Sequence, residues 1–180
     1  MGRCIAFLRA VNVGGRTVKM AALRDEFEAL GFTGVETFIA SGNVIFETRA
    51  RDLAALERKI ETRLNGAFGF EIHTFLRTVE ALGAITSHPA FDAAEVAAAT
   101  AFVVGFLANA PDAEAQQTID GFNTDIDRFH VQGRELYWLS RQRQSDSTFS
   151  NAVFERSLRM RSTFRGISTL QRLNARLVAN

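Results

Sequence analysis

The chain has 180 residues, a formal net charge of +1, 47% hydrophobic residues and 23% charged residues. This length suits one compact domain or two small ones, and the composition is that of globular proteins, which excludes a largely disordered chain. No apolar run approaches the roughly 20 residues of a membrane-spanning helix. Arg9 interrupts the short apolar stretch near the N-terminus, which argues against a secretory signal. We therefore predict a cytoplasmic protein with no membrane partner.

The first 77 residues show the pattern of a ferredoxin-like half. Apolar residues at helical spacing alternate with short β-rich runs, and Gly31 stands where a helix is expected to end. In chain order the pattern predicts strand 4–11, helix 20–30, strands 35–40 and 44–47, helix 52–64 and strand 70–76. The order is βαββαβ, the ferredoxin-like unit.

The rest of the chain repeats part of this pattern. Residues 78–98 predict a connecting helical segment, and residues 99–180 predict a second half of the order βαββα that ends in basic helices. Its predicted elements are strand 101–107, a helix opened by Pro111 and Asp112, a hairpin around Gly133, and helices near 153–158 and 170–177. We predict an α+β fold of duplicated ferredoxin-like antiparallel sheets with helices.

Metal chemistry and catalysis receive no support from the residue pattern. Cys4 is the only cysteine, and His73, His88 and His130 lie far apart without the spacing of metal ligands. We predict neither a metal site nor a cofactor. No pair of carboxylates can be placed across a cleft, so catalytic residues stay unknown and the question of enzymatic activity stays open.

One edge of the first predicted sheet gathers polar residues and glycines. The first and third strands of this fold are antiparallel neighbours, so the end of the first strand lies beside the turn that opens the third. The first helix begins at the same edge, with free N–H groups and the positive end of its dipole. We predict an anion or phosphate site there, formed by Arg9, Asn12, Gly14, Gly15, Arg16, Lys19, Ser41, Gly42 and Asn43. The alternative is structural: a glycine turn, an Asn12 side chain bonded to nearby backbone, and solvated cations.

The same region resembles the domain-of-unknown-function 1697 (DUF1697) family. The residues that carry the resemblance are LRAVNVGG at 8–15, KMAALR at 19–24 and SGNVIF at 41–46. The resemblance is dense over about residues 5–47 and looser but collinear to the C-terminus. It implies an α+β fold with ferredoxin-like repeats, found chiefly in bacteria, and no established activity.

A C-terminal motif of that family is similar to TFRGISTLQRL at 163–173. Gly166, Ile167 and Arg172 stand where the family usually has Asn, Trp and Lys, so an amide and an aromatic ring are missing here. The hydroxyls and cations of this segment extend the predicted ligand site by Thr163, Arg165, Thr169 and Arg172. The structural alternative is a helix cap, from Ser168 or Thr169, together with an ion pair of Arg165.

Three functions follow from these patterns. The leading hypothesis is a protein that binds a small phosphorylated or nucleotide-like ligand. The first alternative is nucleic-acid binding through residues 134–180, which hold about nine arginines and three acidic residues. The second alternative is an oligomeric protein-interaction module without catalysis. The pattern itself is compatible with a monomer or a homodimer. The reaction, the ligand, and whether the C-terminal motif joins the N-terminal loops are left open by the sequence.

Overall fold

A computed structural model describes residues 2–9, 11–12 and 14–179. Met1, Ala10, Val13 and Asn180 lie outside the described residues, and two of them belong to the segment predicted to end the first strand and form the glycine loop. Contacts divide the chain into two compact units, Met1–Leu82 (unit 1) and Gly83–Asn180 (unit 2). Among the described residues, no helix combines the length and apolar character needed to cross a bilayer.

Unit 1 contains a four-stranded antiparallel sheet and two helices packed on one of its faces. Its elements are β1 (Gly2–Arg9), α1 (Met20–Ala29), β2 (Thr33–Phe38), β3 (Asn43–Thr48), α2 (Leu53–Phe68) and β4 (His73–Thr78), after which α3 (Val79–Ser87) begins directly. The strand order is β2-β3-β1-β4. Phe7 of β1 faces Asn43 of β3, so the end of β1 lies beside the start of β3 as the topology predicts.

The helices of unit 1 form because their apolar residues recur at helical spacing. Leu23 and Phe27 of α1, and Leu56, Ile60 and Leu64 of α2, are buried against the sheet. Alternate residues of β1 meet them, namely Cys4, Ala6 and Leu8. Ile5, Phe7 and Arg9 therefore belong to the opposite face of the sheet.

The fourth strand of unit 1 begins later than the predicted start at residue 70. Gly69 ends α2 in the left-handed conformation, with φ of 74°. The Ile72 N–H then donates to Asn65 Oδ1 at 2.6 Å and not to a neighbouring strand. Sheet pairing consequently starts at His73.

Unit 2 repeats the architecture with one strand more than the sequence pattern predicts. Its elements are α4 (Ala93–Ala98), β5 (Ala101–Leu107), α5 (Ala113–Asp120), β6 (Asp127–Gln132), β7 (Glu135–Ser140), a short 3-10 turn (Gln144–Asp146), α6 (Asn151–Leu158), β8 (Ser162–Gly166) and α7 (Ile167–Val178). The strand order is β6-β7-β5-β8. The α+β class with duplicated ferredoxin-like sheets is confirmed, but the second half has the order βαββαβα. The predicted boundaries after residues 77 and 98 stay predictions, since α3 runs from one unit into the other.

The core of unit 2 is built from aromatic rings. Phe149, from the segment between β7 and α6, lies 4.5 Å from the Phe129 ring and 4.8 Å from the Trp138 ring, measured between centroids. Trp138 also donates its indole N–H to Asp127 Oδ1 at 2.8 Å, and Ser147 donates to Asp127 Oδ2 at 2.9 Å. Asp127 is the only buried acidic residue among the described residues of unit 2. Each of its two carboxylate oxygens accepts a hydrogen bond, as a buried carboxylate requires.

The two units share a detail that supports duplication. Arg77 of β4 lies opposite Ile5 of β1, and Arg165 of β8 lies opposite Val104 of β5. Each arginine donates from Nη1 to the carbonyl of the preceding residue, at 2.7 Å for Arg77 and 2.9 Å for Arg165. A helix begins two residues after each of them. In both units, an arginine that bonds the neighbouring backbone carbonyl thus stands one residue before the end of the fourth strand in chain order.

Candidate ligand-binding site

The loop after β1 and the turn between β2 and β3 lie against each other in unit 1. The Leu8 N–H donates to Gly42 O at 2.8 Å. A Cβ atom at Gly42 would lie only 3.2 Å from the Cβ atoms of Leu8 and Val11, and Gly42 has φ of +75°. Glycine is required there by both backbone conformation and space. The structure therefore brings together the two loops that the sequence places at one edge.

Asn12 bridges these two loops through its side chain. Its Nδ2 donates to Ala40 O at 3.0 Å, and its Oδ1 accepts from the Val18 N–H at 2.7 Å. The residue has φ of 58°, a conformation that asparagine tolerates better than most residues. Its amide oxygen and nitrogen each make one hydrogen bond that holds the loop, which agrees with the structural alternative for this residue.

The turn itself is held by Asn43. This buried side chain donates to Phe38 O at 3.0 Å and to Ser41 Oγ at 2.8 Å. Within the turn, Ile39 has φ of 53°, a left-handed conformation that costs a β-branched residue about 1–3 kcal/mol. Ser41 and Asn43 consequently shape the turn, and their polar atoms contribute to its hydrogen bonds.

The solvent-facing part of this edge is formed by Gly14, Gly15, Arg16 and Lys19, together with the first turn of α1; we call it the glycine-loop site. All four residues are exposed. Gly14 and Gly15 have φ of +61° and +80°, and a Cβ atom at either would meet no atom within 4 Å. The Arg16 guanidinium lies 4.9 Å from the centroid of the Phe70 ring, a cation–π contact that holds it near the loop.

The first helix begins at this site without a cap from its own sequence. Lys19 occupies the N-cap position and makes no side-chain capping bond, and the first turn of α1 contains no acidic residue. The first N–H groups of a helix have no acceptor within the helix, and they carry the positive end of its dipole. The glycine-loop site therefore combines a helix end that has no side-chain cap with two exposed cations, Arg16 and Lys19.

Arg9 differs from the other predicted residues of this edge. It is half-buried at the end of β1 and pairs in register with His73 of β4. Its side chain belongs to the sheet face opposite the one that α1 and α2 cover, because side chains alternate along a strand.

The predicted C-terminal residues lie in unit 2, at β8 and α7. Arg165 donates from Nη1 to Thr163 Oγ1 at 2.8 Å, and burial lowers the pKa of Arg165 to about 10, so it stays charged at neutral pH. Thr169 and Arg172 lie on α7. The expected cap from Ser168 or Thr169 is wrong, because α7 begins directly after β8, at Ile167, and Gly166 in the N-cap position has no side chain to offer.

The basic segment 134–180 uses several of its arginines internally. Arg134 donates from Nε to Leu107 O at 3.1 Å, and Arg143 pairs with Asp146 at 2.9 Å. With Arg165, three of the cations thus have partners within unit 2. Nothing in their arrangement adds to the hypothesis of nucleic-acid binding.

A histidine pair in unit 2 has no counterpart in the sequence analysis. His88, which follows α3, and His130 of β6 approach with their Nε2 atoms 2.9 Å apart. Their ring centroids are 5.1 Å apart, so the two Nε2 atoms face each other as in an N–H···N hydrogen bond. Tyr137, opposite His130 on β7, lies beside the His88 ring and donates its hydroxyl to Ile85 O at 3.1 Å. Residues 42 positions apart give no spacing signal, and only the strand register brings His130 to this place.

Burial affects the titration of this cluster. It lowers the pKa of His130, and the charge of a protonated His88 lowers it further. It also raises the pKa of Tyr137, with a smaller contribution from the charge of Glu135. Both shifts favour neutral side chains at this point of unit 2.

Comparison with known proteins gives a family and a fold. The sequence model described as "Protein of unknown function (DUF1697)" matches residues 1–137, and no curated protein matches the chain. A solved structure of the conserved bacterial protein SP0830 from Streptococcus pneumoniae is similar over 98% of each chain, with a TM-score of 0.80 and 23% sequence identity. At that identity the similarity supports the fold alone. Because the family model covers most of the sequence, this chain belongs to the DUF1697 family, whose function is unknown.

Proposed function

We propose that this protein binds a small phosphorylated or nucleotide-like ligand at the glycine-loop site of unit 1. The observation that carries the proposal is the uncapped N-terminus of α1, which lies beside two exposed glycines and has Arg16 and Lys19 next to it. A phosphate group supplies several acceptor oxygens and a double negative charge. It therefore suits a site that offers several N–H donors and two cations.

The shape of the loop gives the proposal its second support. Asn12 bonds Ala40 of the β2–β3 turn and Val18 just before α1, so both ends of the loop are held before a ligand arrives. Gly14 and Gly15 are exposed, and no atom lies within 4 Å of the place where a side chain would begin, so a ligand has room to approach the backbone closely. A preformed loop loses little conformational entropy on binding.

The proposal assigns binding and no reaction. The glycine-loop site consists of two glycines, which have no side chain, and of the cations Arg16 and Lys19. It therefore contains no carboxylate, histidine, cysteine or hydroxyl that could act as a general base or a nucleophile. A catalytic role would require the ligand or a further residue to bring the reacting group.

Calorimetric titration at low salt tests the proposal with inorganic phosphate, nucleoside 5′-monophosphates and sugar phosphates as probes. We expect one saturable site and an affinity that falls as salt is added, because surface charges are screened. The Arg16→Ala/Lys19→Ala double variant should bind at least about tenfold more weakly, given the usual strength of hydrogen bonds to charged groups. Arg24→Ala, an exposed cation on the same helix, is the matched control and should bind like wild type. Equal binding by the double variant and the control, or no binding by wild type, would contradict the proposal.

A further inference from the structure

Unit 1 has a second concavity, at the edge of its sheet away from the glycine loop. It has a volume of about 770 Å³ and lies between the end of α1, the far ends of β2 and β3, and the first two turns of α2. We call it the α2 groove. β3 runs from Asn43, beside the glycine loop, to Thr48, at the groove, and these two ends of the strand are about 17 Å apart. The volume is within the range of small-molecule sites.

The floor of the α2 groove is apolar. Leu30, Phe32 and Leu56 line it, and all three pack against the core of unit 1. The Phe32 ring is fixed there by the Phe46 ring, at 4.5 Å between centroids. A ligand on this floor would lie on rigid aromatic and aliphatic carbon, which favours an apolar body.

The rim of the groove is cationic. Arg49, Arg51 and Lys59 are exposed, and none of the three forms an ion pair within residues 2–9, 11–12 and 14–179. The Lys59 ammonium lies 6.0 Å from the centroid of the Phe32 ring, above the floor. The three cations outnumber the two carboxylates of the lining, Glu47 and Asp52, so the rim has a net positive charge that favours an anion.

The two carboxylates of the rim already have partners of their own. Glu47 accepts a hydrogen bond from Thr33 Oγ1 at 3.2 Å, and Asp52 accepts from the Ala55 N–H at 2.9 Å as the cap of α2. The strand pair thus sets the position of Glu47, and the helix sets that of Asp52. Neither carboxylate forms an ion pair with Arg49 or Arg51 among the described residues. The cations of the groove remain available for a ligand.

We propose that the α2 groove binds a small amphipathic anion, with an apolar body of aromatic or aliphatic carbon and one carboxylate. The body lies on Phe32 and Leu56, and the carboxylate meets Arg49 or Arg51, whose planar guanidinium suits two parallel hydrogen bonds. A neutral apolar molecule would leave the cations without a partner, and a phosphate ion alone would make no apolar contact with the floor. This site is independent of the glycine-loop site and of the function proposed for it.

Titration with 1-naphthaleneacetate and with octanoate tests the proposal and distinguishes an aromatic from an aliphatic body. The neutral amide of each acid has the same body without the charge. We expect saturable binding of at least one acid, about tenfold tighter than its amide, since a charged hydrogen-bonded pair is lost in the amide. Binding should be followed by calorimetry and by amide chemical shifts of residues 47–59.

Variants of the groove separate specific binding from adventitious association. Ala55→Phe places a ring in the groove from an exposed position of α2 and should abolish binding, and Arg49→Ala/Arg51→Ala should weaken it by roughly tenfold or more. Arg58→Ala, an exposed cation of the same helix that does not line the groove, should bind like wild type. If Ala55→Phe does not fold, Arg49→Glu on the exposed rim provides the same test.

Equal affinity for acid and amide, no binding of either acid, or full binding by the groove variants would each overturn the proposal. Phosphate titration of the same variants keeps the two sites apart. Ala55→Phe should leave phosphate binding unchanged, and Arg16→Ala/Lys19→Ala should leave binding of the carboxylate unchanged.

Discussion

The first helix of each unit starts in a different way, although α1 and α5 occupy the same position in the duplicated fold. In unit 1, ten residues (10–19) connect β1 to α1, whereas in unit 2 five residues (108–112) connect β5 to α5. Asp112 caps α5 by accepting from the Ala115 N–H at 2.8 Å, and Glu114 adds a second carboxylate to the first turn. Lys19 gives α1 neither feature. Unit 2 neutralises this helix end with its own side chains, and unit 1 leaves it to solvent or to a ligand.

The strand contacts around these connections are conserved between the units. The Leu8 N–H donates to Gly42 O at 2.8 Å in unit 1, and the Leu107 N–H donates to Arg134 O at 2.9 Å in unit 2. Both hairpin turns therefore bond the end of the central strand in the same way. The difference lies in the longer loop of unit 1 and in the helix start that follows it, and loops on a rigid scaffold are where binding residues are expected.

The largest effect is expected when the longer loop loses its bridge. Asn12→Ala removes two hydrogen bonds and places alanine at φ of 58°, which should lower the free energy of unfolding by about 3 kcal/mol. Asn12→Gly tolerates this φ and should cost about 1 kcal/mol less. Urea denaturation of the two variants measures the contribution of the hydrogen bonds and that of the strained backbone conformation. Should both variants match wild type in stability, the bridge would have no role in holding the loop.

The next effect tests whether unit 1 can be converted to the arrangement of unit 2. Lys19→Asp puts a capping carboxylate at the start of α1, in a backbone conformation that suits an N-cap. The variant should lose ~2 kcal/mol of phosphate affinity, or roughly 30-fold, because it removes a cation and fills the helix end with a negative charge. Its thermal stability should rise at the same time. A loss of affinity together with a loss of stability would point to misfolding and not to a filled site.

The reverse change in unit 2 should have a smaller effect. Asp112→Ala removes the cap of α5 and should cost about 1 kcal/mol of stability, measured by thermal or urea unfolding. It should create no phosphate site, since Glu114 remains in the first turn and no glycine loop lies beside it. Phosphate binding by this variant in unit 2 would mean that an open helix end alone suffices.

The sequence predicted the strand order of unit 1 and the contact between the loop after β1 and the β2–β3 turn. Hydrophobic spacing and the ferredoxin-like element order determine both. It missed β8, where Ser162, Thr163 and Arg165 interrupt the apolar alternation expected of a strand. Thr163 and Arg165 belong to the sheet face opposite Phe164, whereas Ser162 lies on the Phe164 face and donates its hydroxyl to Asn151 of α6. The role of Asn12 was open in the sequence, since an exposed ligand contact and a bridge between loops require the same residue type.

The histidine pair was beyond prediction for another reason. His88 and His130 meet through strand register and the course of the chain after α3, neither of which leaves a trace in residue spacing. The α2 groove was missed likewise, because its cations come from a loop and a helix that only the folded sheet brings around Phe32.

The smallest expected effect concerns this histidine pair. Like the cap of α5, it is a polar contact formed entirely by side chains and backbone of unit 2. With both rings neutral, one Nε2–H donates to the Nε2 lone pair of the other ring. One proton can be added at the far nitrogen of the donor, but a second must go to the accepting Nε2 and break the bond. The pKa of His130 is therefore below its usual value, first because of burial and then because of the charge on His88.

The sign of the pH dependence follows from that direction. His130 in the unfolded chain titrates near its ordinary pKa of about 6.5, so between this pH and the lower pKa of the folded state the unfolded chain binds more protons. The stabilisation is fully present above about pH 6.5 and is lost as the pH falls through the folded pKa. Urea unfolding at pH 7.5 and 5.5 should show a larger loss in wild type than in His130→Phe, and NMR titration of the ring should place His130 below the value of an exposed histidine. Identical pH dependence in both proteins, with His130 titrating at the ordinary value, would show that the two rings do not share a proton, and unit 2 would then lose one of the internal contacts that distinguish it from unit 1.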